Sequence, residues 1–449
     1  MKQLLPLGTL ALALALVGCS GSGAKTSDAV TAPEAPVGDK PTGDVEVMAF
    51  KGGYDIDFYA DAAKELSAKN PGLKITVEGD PNVADKIQPR LIAGSPPSLM
   101  FPGWKLDQWA AAEEGQLDLL DQALASPAYD GKGTWGDTFD PKILKLGQLD
   151  GKQFVLPFWF NVWGMWYDPG VFAKHGWKPP KTYDELLTLC GQIKAAGIAP
   201  ITFQGRFPYY MVEGMLLPWA QDIGGMKAVN DAQNLEPGAW KSPAMLKAAG
   251  MIVELRDKGY FEEGAVGLTH TDAQTDFLNG KAAMIPCGTW LDTEMKKTMP
   301  KGASVEYLVT PAASGTGDPT AVPIDVEPWM VPSAGKNPNG AIALLKYMTS
   351  LDKAKQFVST KYTLTAIKGS DQVKNLPPSL KAPLAAFNQS KTQWSYELRY
   401  WYKAFEDEIE NGLTELINGG TAEKFCDRCE AAAEKIRKDD SIKKHKVGG

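Results

Sequence analysis

A strand, a helix and a second strand open the folded part of this chain, and together they leave it few architectures. Val45-Glu46-Val47-Met48-Ala49-Phe50 reads as a short strand, and Ile56, Tyr59, Ala63 and Leu66 follow at helical spacing. Asn70-Pro71-Gly72 halts that helix, after which Leu73, Ile75 and Val77 alternate as in a strand. Strands joined through a helix pair in parallel, and a parallel sheet needs both faces covered. The unit therefore predicts an α/β fold, an open sheet with helices on either side. The loop Lys51-Gly52-Gly53-Tyr54 then lies at the carboxyl end of the sheet, where ligands bind in such folds. Its glycine spacing matches neither nucleotide fingerprint. One local conflict stands out: Ala84 to Ala93 has a helical pattern, yet Pro89 lies inside it.

The residues ahead of this unit set the compartment. Lys2 supplies a positive start, Leu4 to Val17 is apolar but short for a membrane span, and small Gly18 precedes Cys19. Residues 1–18 read as a signal peptide. Leu14-Ala15-Leu16-Val17-Gly18-Cys19 resembles a bacterial lipobox, which implies cleavage before Cys19 and diacylation of its sulfur. Residues 19–43, rich in Ser, Gly, Ala, Thr and Pro, read as a tether. The expected product is an exported cell-envelope lipoprotein, held to the membrane through Cys19 and facing the periplasm or exterior. No later stretch approaches the roughly 18–20 apolar residues that cross a bilayer.

Without these segments about four hundred residues remain, more than one hydrophobic core usually serves, so two domains are expected. The 47 basic and 54 acidic residues give a net charge of -7, which argues against nucleic acid as a partner. Residues 441–449, with Lys443-Lys444-His445-Lys446, read as a solvated basic end. Cys190, Cys287, Cys426 and Cys429 remain besides Cys19. Cys426-x-x-Cys429 lies in a helical segment, as a local disulfide, a redox pair or half a metal site. With His175, His270 and His445 the only histidines, no second metal half-site is visible; neither metal nor cofactor is expected.

Four segments then carry a family resemblance. Asp85-Lys86-Ile87-Gln88-Pro89-Arg90-Leu91-Ile92-Ala93-Gly94-Ser95-Pro96-Pro97, Gly151-Lys152-Gln153-Phe154-Val155-Leu156-Pro157 through Trp166-Tyr167-Asp168, and Trp177-Lys178-Pro179-Pro180-Lys181-Thr182-Tyr183-Asp184-Glu185-Leu186 come first. The fourth is Phe277-Leu278-Asn279-Gly280-Lys281-Ala282-Ala283-Met284 with Gly288-Thr289-Trp290. In this order they resemble the extracellular solute-binding proteins of carbohydrate ABC transporters, the group that includes maltose-binding protein. Ser98 departs from the pattern, which has aspartate after the proline. The resemblance implies a monomer of two α/β lobes on a hinge, a periplasmic-binding-protein-like fold. Lobe 1 would comprise 44–157 plus 326–365 and lobe 2 158–325 plus 366–440. A sugar would bind between them without chemistry and be delivered to a membrane permease.

The side chains suit a saccharide. A pyranose offers C–H faces and a hydroxyl rim, so its site needs flat rings edged by amide, carboxylate or guanidinium groups. The 13 tryptophans gather accordingly. Candidate ligand contacts are Lys51 and Tyr54 in the first loop, Trp104, and Trp159, Asn161 and Trp163 in the first crossing. Gln204, Tyr209 and Tyr210 share one loop, Trp290 and Asp292 follow the glycine-threonine motif, and Glu327 and Trp329 lie in the second crossing. Arg399 and Trp401 sit on a late helix. Trp109, Trp135, Trp166, Trp177, Trp219 and Trp240 read as packing residues. Gln204-Gly205-Arg206-Phe207-Pro208-Tyr209-Tyr210 resembles the subgroup that binds N-acetylglucosamine or its β-linked disaccharide.

Two other classes remain on the sequence alone. A glycosidase would need two placed carboxylates, and no signature fixes them; so few histidines also leave no plausible Ser-His-Asp or Cys-His arrangement. A receptor for another solute would share the scaffold. An anionic ligand would require Arg or Lys at the crossings, and Phe158–Trp166 and Ile324–Trp329 carry none.

Overall fold

A computed structural model of the chain describes residues 32–447. Cys19 and the signal peptide lie outside the described residues. The predicted opening unit forms as β1 (Gly43–Phe50), the helix Asp57–Lys69 and β2 (Leu73–Asp80), with Val45 paired to Ile75 in a parallel ladder. β3 (Leu99–Phe101) pairs in parallel with the other edge of β1, giving the order β2-β1-β3. Helix Asp57–Lys69 buries Phe58, Tyr59, Ala62, Ala63 and Leu66, the apolar stripe expected from its spacing. The helix at Val83–Ile92 forms with Pro89 inside it. Pro89 is on the exposed face, so the Asp85 carbonyl that loses its partner faces water.

After a small hairpin of β4 (Gln148–Leu149) and β5 (Lys152–Gln153), the chain enters β6 (Leu156–Tyr167), buried along its whole length. β6 is the spine of the molecule. Its later half pairs with β8 (Ala282–Gly288) and β9 (Glu306–Leu308), which with β7 (Ala199–Ile201) belong to lobe 2. Its first half pairs antiparallel with β10 (Val322–Trp329), and Trp159 and Phe160 also pair with β11 (Leu364–Thr365). β12 (Gln393–Trp394) closes the other edge of β10. Beyond β10, Met330 exchanges backbone hydrogen bonds with Met100 at 2.9 and 3.0 Å, so the second crossing ends beside β3 of lobe 1. β6 and β10 thus run side by side through the junction, with β11 against the first half of β6. Register slips between Val326 and Pro328, a bulge that places Glu327 outside the regular ladder.

In lobe 2, Thr182 accepts from the Glu185 amide at 3.2 Å and caps the helix Tyr183–Ala195, as its sequence predicts. Helices Pro243–Asp257, Lys403–Ile417 and Ala422–Lys438 pack together on its outer side. Cys426 and Cys429 lie buried on that last helix as free thiols, like Cys190 and Cys287, so the local disulfide does not form. Among the described residues no cluster of three or more His, Cys, Asp or Glu could hold a metal, and no helix is long and apolar enough to cross a membrane.

Both chain ends of the described region are held in place. Residues 32–43, read from sequence as the end of a tether, lie along lobe 1. The Ala35 amide donates to Leu119 O at 2.7 Å, Gly38 N to Asn339 Oδ1 at 3.0 Å, and Asn337 Nδ2 to Thr42 O at 2.7 Å. The basic end is not simply solvated. His445 is 8% exposed and faces the Trp401 ring at a centroid distance of 5.3 Å. Charge composition alone conceals this, because the burial depends on a groove built by residues far away in sequence.

Candidate functional site

Three residues of β6 organise the junction between the lobes. Trp159 is on the lobe 1 side, Trp163 is on the lobe 2 side and Asn161 lies between them, all nearly fully buried. The Tyr54 hydroxyl, from the first loop, donates to Asn161 Oδ1 at 2.8 Å, and Thr289 Oγ1, after β8, donates to the same oxygen at 3.0 Å. One amide thus receives a hydrogen bond from each lobe. A Cβ at Gly53 would come within 3.3 Å of Glu294, so the first loop touches the helix Leu291–Met295 and the lobes stand closed.

Each side of Asn161 carries an aromatic cluster. On lobe 1 the Tyr54 and Trp159 rings meet edge to face at 4.7 Å, and Trp159 Nε1 donates to the Tyr59 hydroxyl at 3.0 Å. Phe101 links this group to Trp329 at 5.5 Å and to half-buried Trp104 at 6.2 Å. On lobe 2, Trp163 meets Trp290 at 4.7 Å, Tyr210 at 5.4 Å and Tyr209 at 6.1 Å. Gly288 is obligatory here: a Cβ on it would stand 2.0 Å from the Trp290 ring, which lies over the bare backbone. Arg399 covers the Tyr209 ring at 4.3 Å and forms an ion pair with Glu213, which lies 1% exposed in the wide π-turn Val212–Leu216.

Several polar atoms in this junction have no hydrogen-bond partner within the protein. Both Glu327 carboxyl oxygens are buried and unpartnered, as are the indole N–H groups of Trp104 and Trp329. Trp163 Nε1 and Asp325 Oδ1 face one another without closing a bond of normal geometry. Buried polar groups are normally satisfied, so these atoms are open to a polar partner from outside the chain, as are others elsewhere such as Thr202 and Trp394. Two surface depressions lie elsewhere: one of about 330 Å³ at Ala60–Val77 has neither ring nor carboxyl in its lining, and one of about 350 Å³ at Thr182–Ser314 is lined by Tyr183, Asp184 and Glu254 on the outside of lobe 2.

Not every candidate reaches the junction equally. Lys51 is exposed, 3.6 Å from Asp55 Oδ1. Gln204 is fully buried and donates to Pro286 O at 2.9 Å, bracing lobe 2. Asp292 accepts from Ser379 Oγ at 2.5 Å. Trp401 packs beside Tyr402 and His445. Of the tryptophans read as packing residues, Trp109, Trp135, Trp166, Trp219 and Trp240 are buried, and Trp177 is half-buried on the His175 ring. Sequence reasoning did not single out Thr289, Asp325 or Glu213 as site residues. Asp325 could have been found from its place two residues before Glu327 on a strand that is otherwise apolar.

Burial pushes the Asp325 carboxyl up from 3.8 to about 6, against the pull of Arg399, and Glu397 from 4.5 to about 7. Burial also raises Asp118 to about 6 and Asp222 to about 7. A carboxyl whose folded value exceeds its unfolded one keeps its proton in a window where the unfolded chain has lost it. Its contribution to stability is therefore present at low pH and declines as pH rises through that window. Thermal melts should accordingly show stability falling between about pH 4 and pH 7, with Asp325→Asn flattening the part below about pH 6. A slope unchanged by Asp325→Asn would mean that this carboxyl titrates normally.

Two α/β lobes joined through β6 and β10, with a ring-lined junction between them, are the features of a two-lobed solute-binding protein. Residues 52–355 match the family model of the bacterial extracellular solute-binding proteins, and the chain belongs to that family. The diacetylchitobiose binding protein NgcE of Streptomyces coelicolor is 27% identical over 462 aligned positions, covering 98% of this chain and 96% of the relative. The multiple sugar-binding protein of Streptococcus mutans is 22% identical, covering 70% and 73%. Among solved structures, a chitin oligosaccharide binding protein superposes with a TM-score of 0.73 at 21% identity, covering 88% of this chain and 98% of that one. The raffinose complex of RafE gives 0.71 at 20%, covering 88% and 99%. These likenesses establish the fold.

Proposed function

We propose that the chain is the lipid-anchored receptor of a carbohydrate ABC transporter, capturing a neutral mono- or oligosaccharide between its lobes and passing it to a membrane permease. The observation that carries this reading is the Asn161 junction, where one amide bonded to both lobes lies between two aromatic clusters. Trp159, Trp163 and Trp290 supply flat faces for pyranose C–H patches, while Asn161, Asp325, Glu327 and Arg399 supply edge groups for hydroxyls. Anchoring falls to Cys19, which lies outside the described residues.

The favoured ligand is N-acetylglucosamine or its β-linked disaccharide. The full-length relative named for diacetylchitobiose supports this choice. An acetamido group needs a donor, an acceptor and an apolar patch for its methyl; with Asn161 Oδ1 already taken by Tyr54 and Thr289, these fall to the Trp163 indole N–H, the unpartnered Glu327 carboxyl and the neighbouring ring faces. Binding favours the closed arrangement to the extent that the sugar contacts both lobes, and the protein performs no chemistry on it. Titration calorimetry with N-acetylglucosamine, diacetylchitobiose, maltose and xylobiose tests the assignment. Heat with the acetylated sugars is expected. Heat from maltose or xylobiose alone would move the reading to another sugar, and hydrolysis at enzymatic rates would overturn it.

A further inference from the structure

We propose that residues 443–447 are a strap that reaches from lobe 2 across the rim to lobe 1 and holds the lobes closed. The segment leaves the lobe 2 helix Ala422–Lys438 and is fixed to that lobe first. Asn234 and Val447 exchange two hydrogen bonds at 3.1 and 2.7 Å, Lys446 reaches Glu236 at 3.3 Å, and the His445 amide donates to the Tyr402 hydroxyl at 2.8 Å. Its other attachment is on lobe 1. Lys443 Nζ and His445 Nδ1 converge on Glu113 Oε1, the imidazole at 3.6 Å. The Lys443 contact is one of charge rather than a well-directed hydrogen bond, since the same oxygen has no partner of normal hydrogen-bond geometry, and burial lowers the His445 pKa, so the imidazole packs beside the carboxylate as a neutral ring.

Glu113 ends the helix Gln108–Glu113, which packs against Leu398–Trp401 of lobe 2 at the same rim. The side chain of Glu113 is 15% and that of His445 7% exposed, but Lys443 is half-exposed, so the ion pair is shielded from water on the Glu113 side alone. Opening the hinge separates Glu113 from Lys443 and His445 while every lobe 2 attachment stays intact. The strap therefore adds a closure free energy that belongs to the protein rather than to the ligand, and it raises the closed population before sugar arrives. The crossings and the cleft rings do not require these residues, which makes them a separable control on closure.

The strap rests on the reading of the chain as a hinged receptor, and its test works without sugar. Amide hydrogen exchange of the full chain is followed at residues 52–56 and 289–295, which face one another across the junction and touch no strap residue. Glu113→Gln and Lys443→Ala should each speed exchange there by roughly twofold to fivefold, with β1 unchanged as a control on folding. Adding saturating diacetylchitobiose should restore protection. Acceleration confined to 108–113, 398–402 and 443–447 overturns the strap, because it reduces the tail to local packing. Failure of the sugar to alter exchange in either form counts against the proposed ligand and leaves the strap standing.

Discussion

Replacing Arg399 by methionine should lower the unfolding free energy by about 3–5 kcal/mol. Arg399 and Glu213 form an ion pair whose side chains are 12% and 1% exposed, and Asp325 and Glu406 add further carboxyls nearby. Burial pushes the Glu213 carboxyl up, and the guanidinium is the main influence drawing it back. Without the arginine, Glu213 must either remain an uncompensated charge or take a proton, and both outcomes cost the folded state. The Tyr209 ring also loses the cation stacked on it at 4.3 Å. The double variant Arg399→Met, Glu213→Leu should recover most of the loss, since a buried pair exchanged for apolar groups of similar volume is often neutral. Urea unfolding of the three proteins decides the matter. A loss below about 1 kcal/mol for the single variant would mean that water reaches the pair and screens it as at a surface.

What the sequence discloses depends on the distance over which a signal acts. The period of apolar residues sets the strand-helix-strand opening and the Asp57–Lys69 helix, because these follow from neighbours a few residues apart. β6 is legible for the same reason: a run from Leu156 to Tyr167 that is almost wholly apolar has to be buried on both faces. Gly288-Thr289-Trp290 is legible as a motif, although its cause appears only in space, where the ring lies on the glycine and the hydroxyl meets Asn161.

The strap and the Arg399–Glu213 pair join residues far apart in sequence, the latter 186 positions, and no local pattern encodes them. Glu213 nevertheless left a trace. It is a lone charge in Met211-Val212-Glu213-Gly214-Met215, and an isolated carboxylate in an apolar helix must find a buried partner. The basic tail left none, since Lys443-Lys444-His445-Lys446 has the composition of a solvated end whether or not a groove receives it.

Removing the Trp290 ring should weaken sugar binding more than it weakens the fold. Trp290 is half-buried, unlike Trp163, which it touches edge to face, so its alanine variant loses less packing than truncation of a core tryptophan. Its ring packs against Trp163 and Tyr210 and follows Thr289, which bonds the Asn161 amide, so a pyranose stacked on it would meet that junction. Truncating an aromatic anchor at the centre of a binding site typically costs about 2–4 kcal/mol, or roughly 30-fold to 1,000-fold in affinity. Trp290→Ala should therefore bind diacetylchitobiose weaker by that factor, while its melting temperature stays within several degrees of the parent. Trp290→Phe should recover part of the affinity, because it keeps a flat face of smaller area. A loss under about threefold in the alanine variant, with calorimetric heat otherwise intact, would place the sugar away from this ring. The contacts between lobes at Asn161 would then remain as a hinge closure without a saccharide platform.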